Sequence, residues 1–235
     1  KPFEVLNAAN KISWVKADLR SSKDVFKVID GMDIVIQAAA TTSGSKDIVS
    51  KPYIHVTDNA LMNSLLLRQS MESKVKHFIF FSCSVMYQSH EKPLKESDWD
   101  PNKVINSKYF GVANTKVYIE KMLEFYSMIS KMKTTAIRHS NIYGPFDKYD
   151  LEKSHVFGAT ITKVMTAKKD ITVWGSGDEK RDVLYVDDLM NFVNLCIKKQ
   201  KKQYQLYNCG SGESISIKSL VSMIIKASGK EIKIN

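Results

Sequence analysis

A handful of side chains in this sequence are of types that move protons or grip phosphate, and their spacing limits what they can do together. Lys116 and Tyr109 lie seven residues apart in the stretch Y-F-G-V-A-N-T-K-V-Y-I-E-K-M-L-E. On a helix that spacing puts them on one face, two turns and about 10 Å apart along the axis. An ammonium favours a nearby phenolate, and side chains four residues apart meet directly. The residue four before Lys116 is Val112, which has no ionisable group. Cys83 and Ser84, in S-C-S-V-M-Y, offer a thiol and a hydroxyl straight after an apolar run. A thiol is the weaker hydrogen-bond donor, yet it ionises where its surroundings lower its pKa. His155 opens an apolar helical stretch, as a proton-transfer group or as a plain cap. Arg181 carries a guanidinium fork that matches phosphate oxygens. Trp174, in V-W-G-S-G, is either a platform for a base or sugar or the packing of a turn.

The elements that must position these groups alternate between strand and helix. Ile12 to Val15 alternates as a short strand ending in Ala17-Asp18-Leu19. A helix with Ser22 as N-cap follows, with Val25, Phe26, Val28 and Ile29 inward. Asp33 to Gln37 reads as a continuous apolar strand, buried on both faces of a parallel sheet. It runs into Ala38-Ala39-Ala40-Thr41. A helix over His55 to Ser73, with Leu61, Met62 and Leu65 on its apolar side, leads to the strand His77 to Phe81. The helix Tyr109 to Met128 and the strand Thr134 to Arg138 come next, then R-H-S-N-I-Y-G-P from Arg138 to Pro145. This alternation predicts an α/β fold with a doubly wound parallel sheet. Asp187 and Asp188 are placed to cap the helix after them.

Several of these stretches together resemble the extended short-chain dehydrogenase/reductase family, the NAD-dependent epimerases and dehydratases. They are A-D-L, D-I-V-I-Q-A-A-A, S-C-S-V-M-Y, T-K-V-Y-I-E-K, R-H-S-N-I-Y-G-P and V-W-G-S-G-x-x-x-R-D. The pattern lies nearest to the GDP-L-fucose synthase branch. The resemblance implies a Rossmann domain over 1–145, lacking its first βαβ portion, and a small α/β substrate lobe over 146–235 interleaved with the last sheet strands. It implies NAD or NADP as cofactor, with Asp18, Leu19, Ala38, Ala39, Ala40, Asn59, Asn141 and Ile142 along it and Lys116 on the nicotinamide ribose. It implies a nucleotide-sugar substrate, with Arg181 on the diphosphate and Trp174 and His155 beside the sugar. Cys83, Ser84, Tyr109 and His155 are the candidates for proton transfer.

The family's motif Y-x-x-x-K has Val112 in place of its Tyr here, and R-P-x-N reads R-H-S-N. Its epimerising Cys–His pair has His155 but Val85 in place of the Cys. Two functions remain open: a nucleotide-sugar epimerase, reductase or dehydratase, or a catalytically silent relative that binds dinucleotide or nucleotide-sugar as a scaffold or regulator. The family's G-x-x-G-x-x-G turn and its flanking strand and helix imply roughly 40–50 further residues upstream. A truncated chain is the expectation. The resemblance also implies a homodimer through a four-helix bundle, formed by the helices near 55–73 and 109–128.

Composition bounds the alternatives. Over 235 residues, 43% are hydrophobic and 26% charged, an ordinary globular balance. No apolar run reaches the ~18–20 residues of a membrane span. Three cysteines without C-x-x-C spacing argue against a disulfide framework or a zinc site, and for a reducing cytoplasm. The net charge of +10 invites a nucleic-acid reading. Its densest run, Lys198 to Lys202, reads instead as a solvated helix end. No metal and no nucleic-acid partner are expected.

Overall fold

The computed structural model describes residues 12–41, 51–88, 90, 92–151, 154–173 and 175–235. Four parallel strands form its main sheet: β1 (Ile34–Gln37), β2 (His77–Phe81), β3 (Lys133–His139) and β8 (Tyr204–Cys209), side by side in that order. Parallel pairing requires crossovers, and helices supply them. α1 (Ser22–Ile29) precedes β1, and α2 (Pro52–Glu72), α3 (Phe110–Ile129) and α5 (Val186–Lys199) lie in the crossovers. Val25, Ile29, Met62, Leu66, Leu67, Ile119 and Leu123 from the first three pack with Phe78, Phe80 and Ala136 on one face. Leu189, Val193 and Cys196 of α5 pack with Ile79, Ile137 and Cys209 on the other. The alternation along β2 and β3 thus feeds two cores, the doubly wound arrangement the sequence predicts.

A lobe follows the sheet. In it α4 (Val156–Thr166), β5 (Asp170–Ile171), α6 (Ile217–Ser228) and β10 (Lys233–Ile234) enclose Val164, Ile171 and Val221. Short pairs join the two regions: β4 (Asn141–Tyr143) lies parallel to β7 (Val183–Tyr185). The pair β6 (Lys180–Arg181) and β9 (Ile215–Ser216) is antiparallel.

Several expectations are corrected. Ile12 to Val15 forms no strand; Ile12, Trp14 and Val15 are exposed on irregular chain. The cap of α1 is Ser21, whose hydroxyl accepts from the Asp24 amide, and Phe26 faces solvent. β1 is not buried on both faces. It ends the sheet among the described residues, so Ile34 and Ile36 are exposed while Gln37 is buried. α2 begins at Pro52, since proline suits a first turn whose N–H needs no partner, and Leu61 lies on its exposed side. The cap of α5 is Tyr185. Asp187 and Asp188 sit in its first turn, where the helix dipole favours negative charge, with Lys198 and Lys199 in its last.

Candidate active site

The site is built at the carboxyl ends of β2 and β3, where α3 crosses them. Backbones of α2 and α3 approach closely there, because Gly111 has no side chain: a Cβ on it would stand 2.8 Å from Val56 Cγ2. That approach lowers α3 onto the sheet and brings Lys116 to the end of β2. The Lys116 Nζ donates to the Phe81 carbonyl at 2.8 Å and lies 4.5 Å from the centre of the Phe80 ring. Burial pushes the ammonium pKa down, while Cys83 and Glu120 draw it back up. The result is a cation held in a low-dielectric pocket by one carbonyl and one aromatic face.

Cys83 is half-buried beside it. Burial pushes its thiol pKa up despite the opposing Lys116 charge, so the group stays a protonated thiol at neutral pH. Ser82 is fully engaged elsewhere, its Oγ donating to Glu120 Oε1 at 2.6 Å. Ser84 is exposed in the turn that follows, where its carbonyl accepts from the Tyr87 amide.

Behind this pocket lies an ion pair that sequence reading missed. Arg138 Nη2 meets Glu120 Oε2 at 2.6 Å and Nε meets Oε1 at 2.9 Å, both side chains almost fully buried. Arg138 Nη1 donates to the Tyr87 hydroxyl at 2.7 Å, and Tyr87 donates to Asn208 Oδ1 at 2.8 Å. Trp99 and Tyr87 rings flank the guanidinium at 5.6 and 5.1 Å. α3, the loop after β2, β3 and β8 are therefore tied to one charge pair. The available signal was Glu120 four residues after Lys116, facing the Arg of R-H-S-N.

Tyr109 is not brought to Lys116. It ends a 3-10 turn (Ser107–Tyr109) as the N-cap residue of α3, with the Lys108 ammonium 5.6 Å from its ring centre. No hydrogen bond reaches its hydroxyl among the described residues. Val112 stands half-buried one turn before Lys116, where an acid would have to be. His155 is exposed as the N-cap residue of α4, making no side-chain cap bond. It is near enough to His139 to disfavour that ring's protonation.

Of the residues expected along a dinucleotide, Ala38, Ala39 and Ala40 are exposed at the end of β1, with the Ala39 amide held by Gln37 Oε1. Small side chains there leave the backbone open to a ligand. Asn59 spends its amide locally: Oδ1 accepts from the Thr41 amide, and Nδ2 donates to the Thr41 and His55 carbonyls. It clamps the chain after the alanines. Asp18 binds Arg20 with both oxygens, which holds its carboxyl down at about 2, while Leu19 packs on the core. Asn141 is exposed and donates to the Asp182 carbonyl; Ile142 is half-buried against the α5 core.

Arg181 is exposed on β6, one amine donating to the Lys180 carbonyl, so most of its fork faces solvent. Trp174 lies outside the described residues. The second glycine turn, Gly210-Ser211-Gly212, already cradles an anion of the chain itself. Asp182 accepts from the Ser211 amide at 2.9 Å and the Gly212 amide at 3.2 Å. Among the described residues no three His, Cys, Asp or Glu side chains gather as metal ligands, and no helix is long and apolar enough to cross a membrane.

Comparison with known proteins agrees with this fold. A family model described as the NAD dependent epimerase/dehydratase family matches residues 2–210. A GDP-L-fucose synthase of Sinorhizobium fredii is 30% identical over 223 residues, covering 91% of this chain and 70% of that protein. A GDP-L-colitose synthase of Yersinia pseudotuberculosis is 26% identical over 202 residues, covering 84% of this chain and 66% of that protein. The chain thus spans about two thirds of the length of such relatives. Among solved structures, a UDP-N-acetylglucosamine 4-epimerase from Methanobrevibacter ruminantium superposes with a TM-score of 0.85 at 23% identity, over 99% of this chain and 73% of that one.

Proposed function

Because the chain belongs to the NAD-dependent epimerase/dehydratase family, we propose that it acts on a nucleotide-linked sugar, as an NAD(P)-dependent reductase or epimerase. The observation that carries this reading is the Lys116 ammonium fixed at the carboxyl end of β2, with open alanine backbone at the end of β1. Ligands of open α/β sheets bind outside those strand ends. When bound, a nicotinamide dinucleotide supplies hydride transfer at a sugar carbon. Lys116 orients its ribose, while Ala38, Ala39, Ala40, Asn141 and Ile142 lie along it and Arg181 grips the substrate diphosphate. We divide the chain into a dinucleotide-binding part, 1–145, and a substrate lobe, 146–235. Three free cysteines fit a reducing cytoplasm.

Direct titration tests the reading. NAD(H) and NADP(H) are followed by fluorescence, and turnover is assayed with GDP-mannose, GDP-L-fucose and UDP-glucose. Micromolar binding of one dinucleotide with turnover of one sugar is expected. In the same series Arg181→Ala should weaken GDP binding about 10–100-fold, the worth of charged hydrogen bonds to phosphate, without changing the melting temperature. Val112 is the observation that favours a second reading, a silent relative. Dinucleotide binding without turnover of any sugar nucleotide would establish that one instead.

The same α2–α3 pair leaves Tyr53, Leu61, Phe110, Tyr118, Phe125 and Ile129 exposed. Those positions recur at helical spacing, so they line one side of two neighbouring helices. We take this face as a homodimer interface through a four-helix bundle. Sedimentation at micromolar concentration should give twice the chain mass, and Phe125→Glu should return a monomer. A wild-type monomer would exclude the bundle.

A further inference from the structure

His139 stands where the proton-transfer machinery is short of a member. It ends β3 one residue past Arg138, and its ring lies edge-on to Phe81, the centroids 6.1 Å apart. The carbonyl of that same Phe81 receives the Lys116 ammonium. His139 Nδ1 lies 2.7 Å from the Ser140 carbonyl, an oxygen that can only accept. Nδ1 therefore carries the hydrogen, and the neutral ring presents Nε2 as a bare acceptor. The residue is half-buried, neither sealed in the core nor fully in solvent.

We propose that His139 exchanges the proton with the reacting sugar hydroxyl in this chain, its Nε2 acting in place of the phenol that Val112 lacks. This rests on the enzyme reading above. In the oxidising direction a carbinol carbon gives up hydride to a nicotinamide dinucleotide. The hydroxyl proton passes to Nε2, leaving a ketone and an imidazolium hydrogen-bonded to Ser140. Reduction returns the hydride to carbon and the proton from Nε2 to oxygen. The other candidates are weaker. Cys83 is a protonated thiol, Tyr109 is two turns from Lys116, and Ser82 is bound to Glu120.

The charges facing His139 come from every side. Lys116 approaches from α3 and His155 from the start of α4, while Asp182 is held against Ser140 Oγ. Cys209 stands opposite it in the backbone register of β8, and Cys83 interacts with Lys116. Burial pushes the His139 pKa below its usual value; the hydrogen bond to the Ser140 carbonyl opposes this, and Lys116 and His155 add to it. A base of that kind is unprotonated at neutral pH, as alcohol oxidation requires.

The test uses GDP-L-fucose with NADP+ and reads two things. In kinetics, His139→Gln and His139→Asn should lower kcat by about 100-fold or more with little change in KM, and should abolish the acid limb of the pH–rate profile. In nitrogen-labelled wild-type protein, the His139 ring should show the Nδ1–H tautomer and a titration below the ordinary histidine range. Lys116→Met should raise that midpoint, and bound GDP-L-fucose with NADP+ should shift it. Both variants turning over normally would overturn the proposal, as would a ring indifferent to Lys116 and to ligand. Failure of the enzyme reading looks different: the wild type itself turns over no sugar nucleotide, whether or not it binds a dinucleotide, and both ideas fall together.

Discussion

Arg138→Met should cost about 3–5 kcal/mol of folding stability, because it strands the Glu120 carboxylate inside the protein. With the guanidinium gone, the Ser82 hydroxyl is the one hydrogen-bond partner left to that carboxylate among the described residues, at 2.6 Å. The intact pair has two charged contacts of 2.6 and 2.9 Å, and Tyr87 and Trp99 enclose it. A lone buried carboxylate takes a raised pKa, so the deficit should shrink as pH falls, where Glu120 can fold protonated. Replacing both partners, Arg138→Met with Glu120→Leu, should recover much of the loss, since a buried pair is close to neutral against well-packed apolar groups. Urea unfolding of the two variants at neutral and acidic pH checks both statements. If the single variant melts with the wild type, Arg138 does not hold α3 to β3, and the site has another anchor. Tyr87 would report the same loss locally, because its hydroxyl bridges Arg138 to Asn208.

The fold was legible because its strands and helices announce themselves by period. His77 to Phe81 is a short apolar run and Thr134 to Arg138 a short segment rich in β-branched residues, and the structure buries both between two cores. Ile12 to Val15 carries the same alternation and yet makes no strand. Alternation licenses pairing, but a strand forms only against a neighbour. The exposure of Ile34 and Ile36 has the same origin, since β1 has a single partner among the described residues. Local pattern cannot say which strand stands at an edge.

The site was legible in Lys116, which the structure sets at the end of β2, and obscure where several residues share one hydrogen-bond network. Asn59 is expected along the dinucleotide, and the structure shows its side-chain amide bonded to Thr41 and His55. A helix-face position cannot reveal how an amide divides its bonds. The Glu120–Arg138 pair joins residues eighteen apart on two elements, and its one local mark is Glu120 a helical turn after Lys116. His139 was hidden inside a motif whose neighbours drew the attention. Its chemistry depends on the Ser140 carbonyl fixing the tautomer, which only coordinates give.

Lys116→Met should separate activity from stability more cleanly than any other change at the site. Turnover should fall about 10²–10⁴-fold, the usual worth of a group that sets a proton-transfer site. Two losses combine: the ribose of the dinucleotide loses its orienting cation, and His139 loses the charge that lowers its pKa. Stability should change little. The Phe81 carbonyl forfeits its donor, at a cost of about 1–3 kcal/mol, but an ammonium no longer has to be desolvated there. Met also keeps the length and much of the contact with the Phe80 ring. The melting temperature should therefore hold while kcat collapses, and dinucleotide affinity should weaken in step. The opposite outcome, a destabilised protein with normal turnover per folded molecule, would make Lys116 a prop between α3 and β2. The charge at the strand ends would then serve the fold alone, and the enzyme reading would lose the observation that carries it.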